Sequence, residues 1–148
     1  MRENEDVAAH LRQLSLICLA IPSGVVIFAG VVWYLLSSGS FEPPMAQDGA
    51  SIGNLLNLIA LSTLIVAHFL PVLMKAPGPG ASRGDVLAWH RTATIVAFAV
   101  REAAAFMALV GGMLTGELGW AFAVAGLAIV AMIGAWPRAS QLEGPSRR

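Results

Sequence analysis

Four long apolar runs, separated by short polar segments, dominate the pattern of this chain. They cover residues 15–36, 53–74, 92–114 and 119–136. Each run approaches or exceeds the roughly 20 residues that a helix needs to cross about 30 Å of hydrocarbon. The runs are continuous rather than alternating, and lipid cannot satisfy an open sheet edge, so helices are favoured over strands. The pattern predicts an all-α integral membrane fold of four transmembrane helices, arranged as two antiparallel hairpins.

The segments between the runs are too short to hold a further domain. Serine, glycine and proline are frequent in residues 37–44 and 77–80, and Pro137 follows the fourth run. The third connection, residues 115–118, is so short that the last two helices must form a tight antiparallel pair. We therefore expect an N-terminal segment of residues 1–14, a transmembrane domain of residues 15–136 and a tail of residues 137–148.

The distribution of charge predicts the orientation of these spans. Eight basic residues lie on one side of them: Arg2, Arg12, Lys75, Arg83, Arg91, Arg138, Arg147 and Arg148. The two loops on the other side hold Glu42, Asp48 and Glu117 and no basic residue. By the positive-inside rule both termini are cytoplasmic, and we expect a multi-pass protein of a bacterial inner membrane.

Composition narrows the class of function. The 148 residues are 57% apolar and 12% charged with a net charge of zero, far from the composition of a soluble domain or of a nucleic-acid-binding surface. Cys18 has no companion for a disulfide, and His10, His68 and His90 are scattered along the chain. No nucleotide loop, nucleophile elbow or zinc motif is present, so neither a cofactor nor a metal is expected, and a membrane enzyme is the least favoured class.

Two charged residues lie near the middle of the third span. Arg101 and Glu102 are adjacent there, and a charge at the centre of a bilayer costs about 2.5–3.5 kcal/mol on insertion scales. One interpretation makes Glu102 a proton or cation site, because a desolvated carboxylate is more easily protonated. The other makes it half of an ion pair, with Arg101 or another cation, that fixes helix register.

The second and fourth spans carry patterns that predict contacts between helices. In the second span Asn54, Asn57, Leu61, Leu64 and His68 form one stripe at helical spacing, so these polar groups should face protein and His68 could contact Glu102. In the fourth span, small residues allow close helix approach, within the monomer or between subunits. The residues expected at that close approach are Gly119, Ala123, Gly126, Ala131 and Gly134.

Residues 97–114, which read Ala-Phe-Ala-Val-Arg-Glu-Ala-Ala-Ala-Phe-Met-Ala-Leu-Val-Gly-Gly-Met-Leu, support two resemblances. The segment resembles the carboxylate-bearing helix of the rotary ATP synthase proteolipid (c) subunits, which implies that Glu102 carries an ion. Over more of its length, the chain also resembles uncharacterised bacterial four-span membrane proteins, which have a similar Glu-Ala segment and a short tail that begins Pro-Arg or Pro-Ser, as at Pro137 here. This second resemblance implies no activity.

These patterns favour a small polytopic protein that acts as a structural or assembly subunit. It would associate with itself or with other membrane subunits in the lipid bilayer, since the segments outside the predicted spans are too short to form a domain that does soluble chemistry. The alternative is a protein that translocates protons or ions by means of Glu102, assisted by His68 or Arg101.

Overall fold

The computed structural model describes residues 2–47 and 50–138, and the side chains of residues 7–47 and 51–138. In these ranges the chain forms helices and connecting turns, with no strand. The helices are α1 (Arg2–Ser37), α2 (Ala50–Leu73), α3 (Arg83–Thr115) and α4 (Leu118–Gly134). The first three are long and apolar enough to cross a membrane, so the described part of the chain has an all-α architecture suited to a membrane protein.

The fourth helix is shorter than the apolar run predicted. It has 17 residues and ends at Gly134, where the backbone N–H of Ala135 donates to the carbonyl of Ala131. At 1.5 Å per residue it rises about 25 Å, somewhat less than the hydrocarbon thickness of a typical bilayer. Pro137 follows three residues later, and its fixed backbone angle and missing N–H do not favour further helix.

The third helix extends nine residues before its apolar run, because its polar beginning is capped. Ser82 is the N-cap, and its hydroxyl accepts a hydrogen bond from the backbone N–H of Asp85 at 3.2 Å. The Asp85 carboxylate in turn accepts from the Ser82 N–H at 3.2 Å, which completes a capping box. At the other end Gly116 adopts a left-handed conformation with φ of 79° and donates its N–H to Gly112.

Helix α3 is the centre of the bundle. It packs along α2 and α4, and α1 packs on α3 and more lightly on α4. By contrast, α1 and α2 barely contact each other, although they are consecutive in the chain. The helix pairs with extensive contact are therefore α2 with α3 and α3 with α4, and the expected hairpin of α1 and α2 is not a closely packed pair.

Small residues set the close approach of these helices. Gly53, Ala60 and Ala67 recur every seven residues on the buried face of α2. On α3, added Cβ atoms at Gly111 and Gly112 would lie 3.2 Å from Leu56 and 2.6 Å from Ala121. The helices therefore approach more closely than a larger residue at these glycines would allow, as is usual where membrane helices pack through small residues. Larger side chains fill the core between these contacts, and the largest that are fully buried are Phe98, Leu14, Leu109 and Met132.

The loop after α1 folds over the end of α3. The backbone N–H of Met45 donates to the carbonyl of Leu114 at 3.0 Å. The ring of Pro43 would lie 3.3 Å from a Cβ added at Gly116. These contacts provide one of the last carbonyls of α3 with a donor and fix the loop against the α3–α4 turn.

Candidate functional site

Arg101 and Glu102 are adjacent in sequence but face different helices. The guanidinium of Arg101 points to α2, where Nη2 donates to the backbone carbonyl of Ala67 at 3.4 Å. The carboxylate of Glu102 points to α1, where Oε1 would lie 3.2 Å from a Cβ added at Gly24. This divergence follows from the rotation of about 100° between successive residues of a helix. The two side chains form no ion pair with each other, so two separate sites must be considered.

A proline explains why Ala67 is the acceptor. Pro71 lies inside α2, four residues after Ala67, and proline has no backbone N–H to donate to that carbonyl. The carbonyl of Ala67 would otherwise remain without a partner in an apolar environment, where an unsatisfied polar group is costly. Arg101 supplies the missing donor from the neighbouring helix. This contact gives Arg101 a defined position in the bundle.

Arg101 is buried, with only 4% of its surface exposed, and it lies at the wall of a cavity. The cavity has a volume of about 310 Å³ and lies beside the first half of α3, next to Ala135 just after α4. Its wall is mostly apolar and includes Pro71, Trp89, Ala93, Ala97 and Phe98. The Phe98 ring centroid lies 5.9 Å from Cζ of Arg101, within reach of a cation–π interaction.

Two N–H groups at this cavity are buried without an acceptor. They are Nε of Arg101 and Nε1 of Trp89. Buried donors in native proteins are nearly always hydrogen-bonded, so an unsatisfied donor requires an explanation. The cavity therefore combines a fixed positive charge with unused hydrogen-bond donors, the chemistry that binds an anion.

Glu102 lies between α1 and α3 and is only partly buried. Beside it, the rings of Phe28 and Phe106 pack edge to face with centroids 5.2 Å apart, and they make this side of the α1–α3 contact apolar. Within the described part of the chain, no lysine or arginine nitrogen lies within 4.0 Å of the carboxylate. The ion pair that one interpretation of the sequence requires is not formed by these residues.

The polar stripe expected on α2 is rotated relative to the buried face. Asn57 is buried, whereas Asn54 and His68 are exposed. The ring of His68 packs edge to face on Phe69 at 5.2 Å, and His68 makes no contact with Glu102. The small residues Gly53, Ala60 and Ala67 determine which face meets α3, because only that face allows the close approach.

The small residues that the sequence predicted at the close approach of α4 do not form its contact with α3. Gly119, Ala123 and Gly134 are exposed, and Gly126 and Ala131 are half-buried. The buried face of α4 consists instead of Ala121, Val124, Ala125, Ala128 and Met132. Alanine occurs on both sides of this helix, so the sequence alone did not distinguish the inner face from the outer one.

The histidines and the cysteine are not gathered into a metal site. His10 of α1 and His90 of α3 face each other with ring centroids 6.1 Å apart, and Cys18 is fully buried in the core. Across the described ranges, no three His, Cys, Asp or Glu side chains come close enough together to hold a metal ion.

No family model, curated protein or solved structure matches this chain. The two resemblances drawn from the sequence remain predictions. A helical fold alone does not specify an activity, so the function of this chain depends on the geometry of particular sites.

Pro71 is a signal for this site in the sequence, and it does not follow from the apolar and polar pattern. A proline inside a predicted helix frees the carbonyl four residues before it, and Pro71 therefore marked Ala67 as an acceptor. Only the packing of α2 against α3 shows that Arg101 is its donor.

Proposed function

We propose that this protein is a small structural subunit of a bacterial inner membrane, and that it works by self-association through the outer face of α4. We define that face as Gly119, Ala123, Gly126, Val130 and Gly134, which follow one another at spacings of three or four residues. The proposal includes a fourth span formed by α4 and an orientation with both termini in the cytoplasm, as the distribution of basic residues favours.

The observation that carries the proposal is the different environment of the glycines. Cβ atoms added at Gly53, Gly111 and Gly112 would meet a neighbouring helix or turn, so these glycines serve the internal packing. Cβ atoms added at the three glycines of α4 would meet nothing within 4 Å. Glycine inside a helix costs about 0.5–1 kcal/mol relative to alanine, and no contact within the described chain offsets that cost on α4. Close approach of a helix from another subunit would offset it.

A second copy of the same chain is the partner that this face fits. The outer face of α4 carries no charge and no hydrogen-bonding side chain that would require a complementary partner. A stripe of small residues can pack on its own copy about a two-fold axis, the commonest symmetry of homo-oligomers.

A leucine substitution on the outer face tests the proposal. Gly126→Leu places a bulky side chain on the outer face of α4. Gly30→Leu is the matched control, because a Cβ added at Gly30 of α1 also meets nothing within 4 Å. Self-association is measured by energy transfer between labelled full-length chains in liposomes over a range of protein-to-lipid ratios. We expect the dissociation constant of the dimer to rise at least about tenfold for Gly126→Leu and to stay unchanged for the control. Helix faces made of small residues associate only when their backbones approach closely.

Two results would overturn this function. Wild-type protein that stays monomeric at every ratio would exclude self-association and leave a different membrane protein as the partner of α4. Equal effects of the two leucine variants would show that α4 is not the interface.

A second candidate, proton or ion translocation through Glu102, is supported by one observation. The carboxylate lacks a cationic partner among the described residues, so it is not held as a permanently paired anion. A carboxylate in an apolar environment can bind and release a proton, which is the chemistry that a carrier requires. Proton flux into liposomes, measured with a pH-sensitive dye, should disappear in Glu102→Gln if this candidate is correct. Equal flux in wild type and variant would exclude it.

A further inference from the structure

The cavity beside Arg101 is distinct from the outer face of α4 and from Glu102. It lies along the first half of α3, with Arg101 at one end and Trp89 twelve residues earlier, about 18 Å along the helix axis. Long side chains on a helix lean toward its N-terminus, so Arg101 leans toward the turns that line the cavity. The positive charge is therefore directed at the cavity.

The charge of Arg101 is not balanced by the residues around it. A guanidinium keeps its proton in proteins, so the cation cannot be avoided by deprotonation. In the described ranges, no carboxylate oxygen lies within 4.0 Å of its nitrogens. Its hydrogen bond to Ala67 is long, at 3.4 Å, and the Nε–H has no acceptor. A buried, unpaired cation is a costly arrangement, and an anion in the cavity would remove most of that cost.

We infer that this cavity binds the anionic group of an amphiphilic molecule, namely a carboxylate or a phosphate attached to an apolar body. The guanidinium would hold the anion through Nε–H and an Nη–H, the two-point geometry that arginine offers to such groups. The walls formed by Ala93, Ala97 and Phe98 would contact the apolar body. The indole N–H of Trp89 offers a second polar contact to a ligand long enough to reach it.

The size and lining of the cavity agree with such a ligand. Its volume of about 310 Å³ is at the lower end of the usual range for ligand sites, roughly 300–1,000 Å³. A strongly hydrated inorganic anion would leave most of this apolar wall without contacts. An apolar molecule without a negative charge would leave the buried guanidinium of Arg101 without a counter-ion.

Binding can be measured by calorimetry on the full chain in phosphatidylcholine nanodiscs, with empty nanodiscs as the blank. The probes are octanoate and octyl phosphate, and octanol is the uncharged comparison of similar length. We expect saturable binding of one anion per chain, and at least about tenfold weaker binding of octanol, because charge-assisted hydrogen bonds to arginine are lost.

Variants assign the binding to this cavity. Arg101→Met should weaken octanoate binding at least about tenfold, whereas Arg91→Met, an exposed arginine of the same helix, should leave it unchanged. Ala97→Leu keeps the charge and occupies part of the cavity, so it should also weaken octanoate binding at least about tenfold. This second variant separates loss of the site from any change in folding caused by removal of Arg101. Trp89→Phe should weaken binding less than Arg101→Met.

A change of lipid distinguishes the two sources of such an anion. If phosphatidylglycerol added to the nanodiscs raises the apparent Kd of octanoate, an anionic lipid of the membrane competes for the site. If the Kd is unchanged, the site selects a water-soluble organic acid. Absence of saturable binding for both anions, or binding that persists in Arg101→Met, would overturn the inference.

Discussion

The close packing of α3 against α4 makes a strong prediction at Gly112. A Cβ atom there would lie 2.6 Å from Cβ of Ala121 and 3.2 Å from the carbonyl oxygen of Glu117. Carbon atoms in contact normally lie about 3.5–4.0 Å apart, so Gly112→Ala creates an overlap of about 1 Å. Neither neighbour can move away by rotating a side chain, since one is a Cβ and the other a backbone atom. The beginning of α4 must therefore shift as a unit.

Two opposing contributions set the change in the free energy of unfolding for Gly112→Ala. Overpacking a closely packed core costs typically about 1–3 kcal/mol, and the rigid neighbours place Gly112→Ala near the upper end. Alanine favours the helix over glycine by about 0.5–1 kcal/mol. We expect the free energy of unfolding to fall by about 1–2 kcal/mol. In Gly126→Ala the alanine favours the helix in the same way, and its Cβ meets no neighbouring atom within 4 Å. This variant should therefore be as stable as the wild type or slightly more stable.

Both variants can be compared by unfolding in mixed micelles with an increasing fraction of sodium dodecyl sulfate, followed by circular dichroism. The measurement uses dilute protein, so that association does not contribute to stability. If Gly112→Ala is as stable as Gly126→Ala, then α3 and α4 do not approach as closely as described and the packing argument is wrong.

Three further predictions test other parts of the structure. Glu102→Gln should change the free energy of unfolding by less than about 0.5 kcal/mol, since no basic partner is left behind, and a loss of several kcal/mol would reveal an ion pair. Cysteines introduced at Gly39 and Arg83 should react with an impermeant thiol reagent from opposite sides of the membrane, and labelling from one side would contradict the proposed orientation. Ser82→Ala should lower stability by about 1 kcal/mol through loss of the α3 cap, whereas Ser62→Ala, which removes only a bond to its own helix, should have little effect, and equal losses would contradict the capping argument.

Much of the fold was predictable because each helix leaves a local signal in the sequence. Apolar runs of sufficient length predicted the helices, and residues 115–118 predicted the tight turn that Gly116 forms in the left-handed conformation. The beginning of α3 at Arg83 was also predictable from the sequence, since Ser82 and Asp85 have the spacing of a capping box. The apolar run began nine residues later, so this polar extension was not included.

Which face of each helix turns inward was less predictable. Polarity suggested Asn54, Asn57 and His68 for α2, but only Asn57 lies on the buried face, together with Gly53, Ala60 and Ala67. Membrane helices lack a hydrophobic driving force for association, so close packing decides the face rather than polarity. The site at Arg101 depends on the same packing, because its acceptor lies on another helix.

The central position of α3 has a consequence for biosynthesis. As the chain leaves the ribosome, α1 and α2 emerge first, yet these two helices barely contact each other in the final bundle. Their main packing partner is still to be synthesised, so inserted α1 and α2 have no stable arrangement until α3 arrives. The tight turn at Gly116 then brings in α4 almost at once. Assembly of the bundle is therefore expected late, after the third helix enters the membrane, and a chain that stops before α3 should be a substrate for membrane proteases.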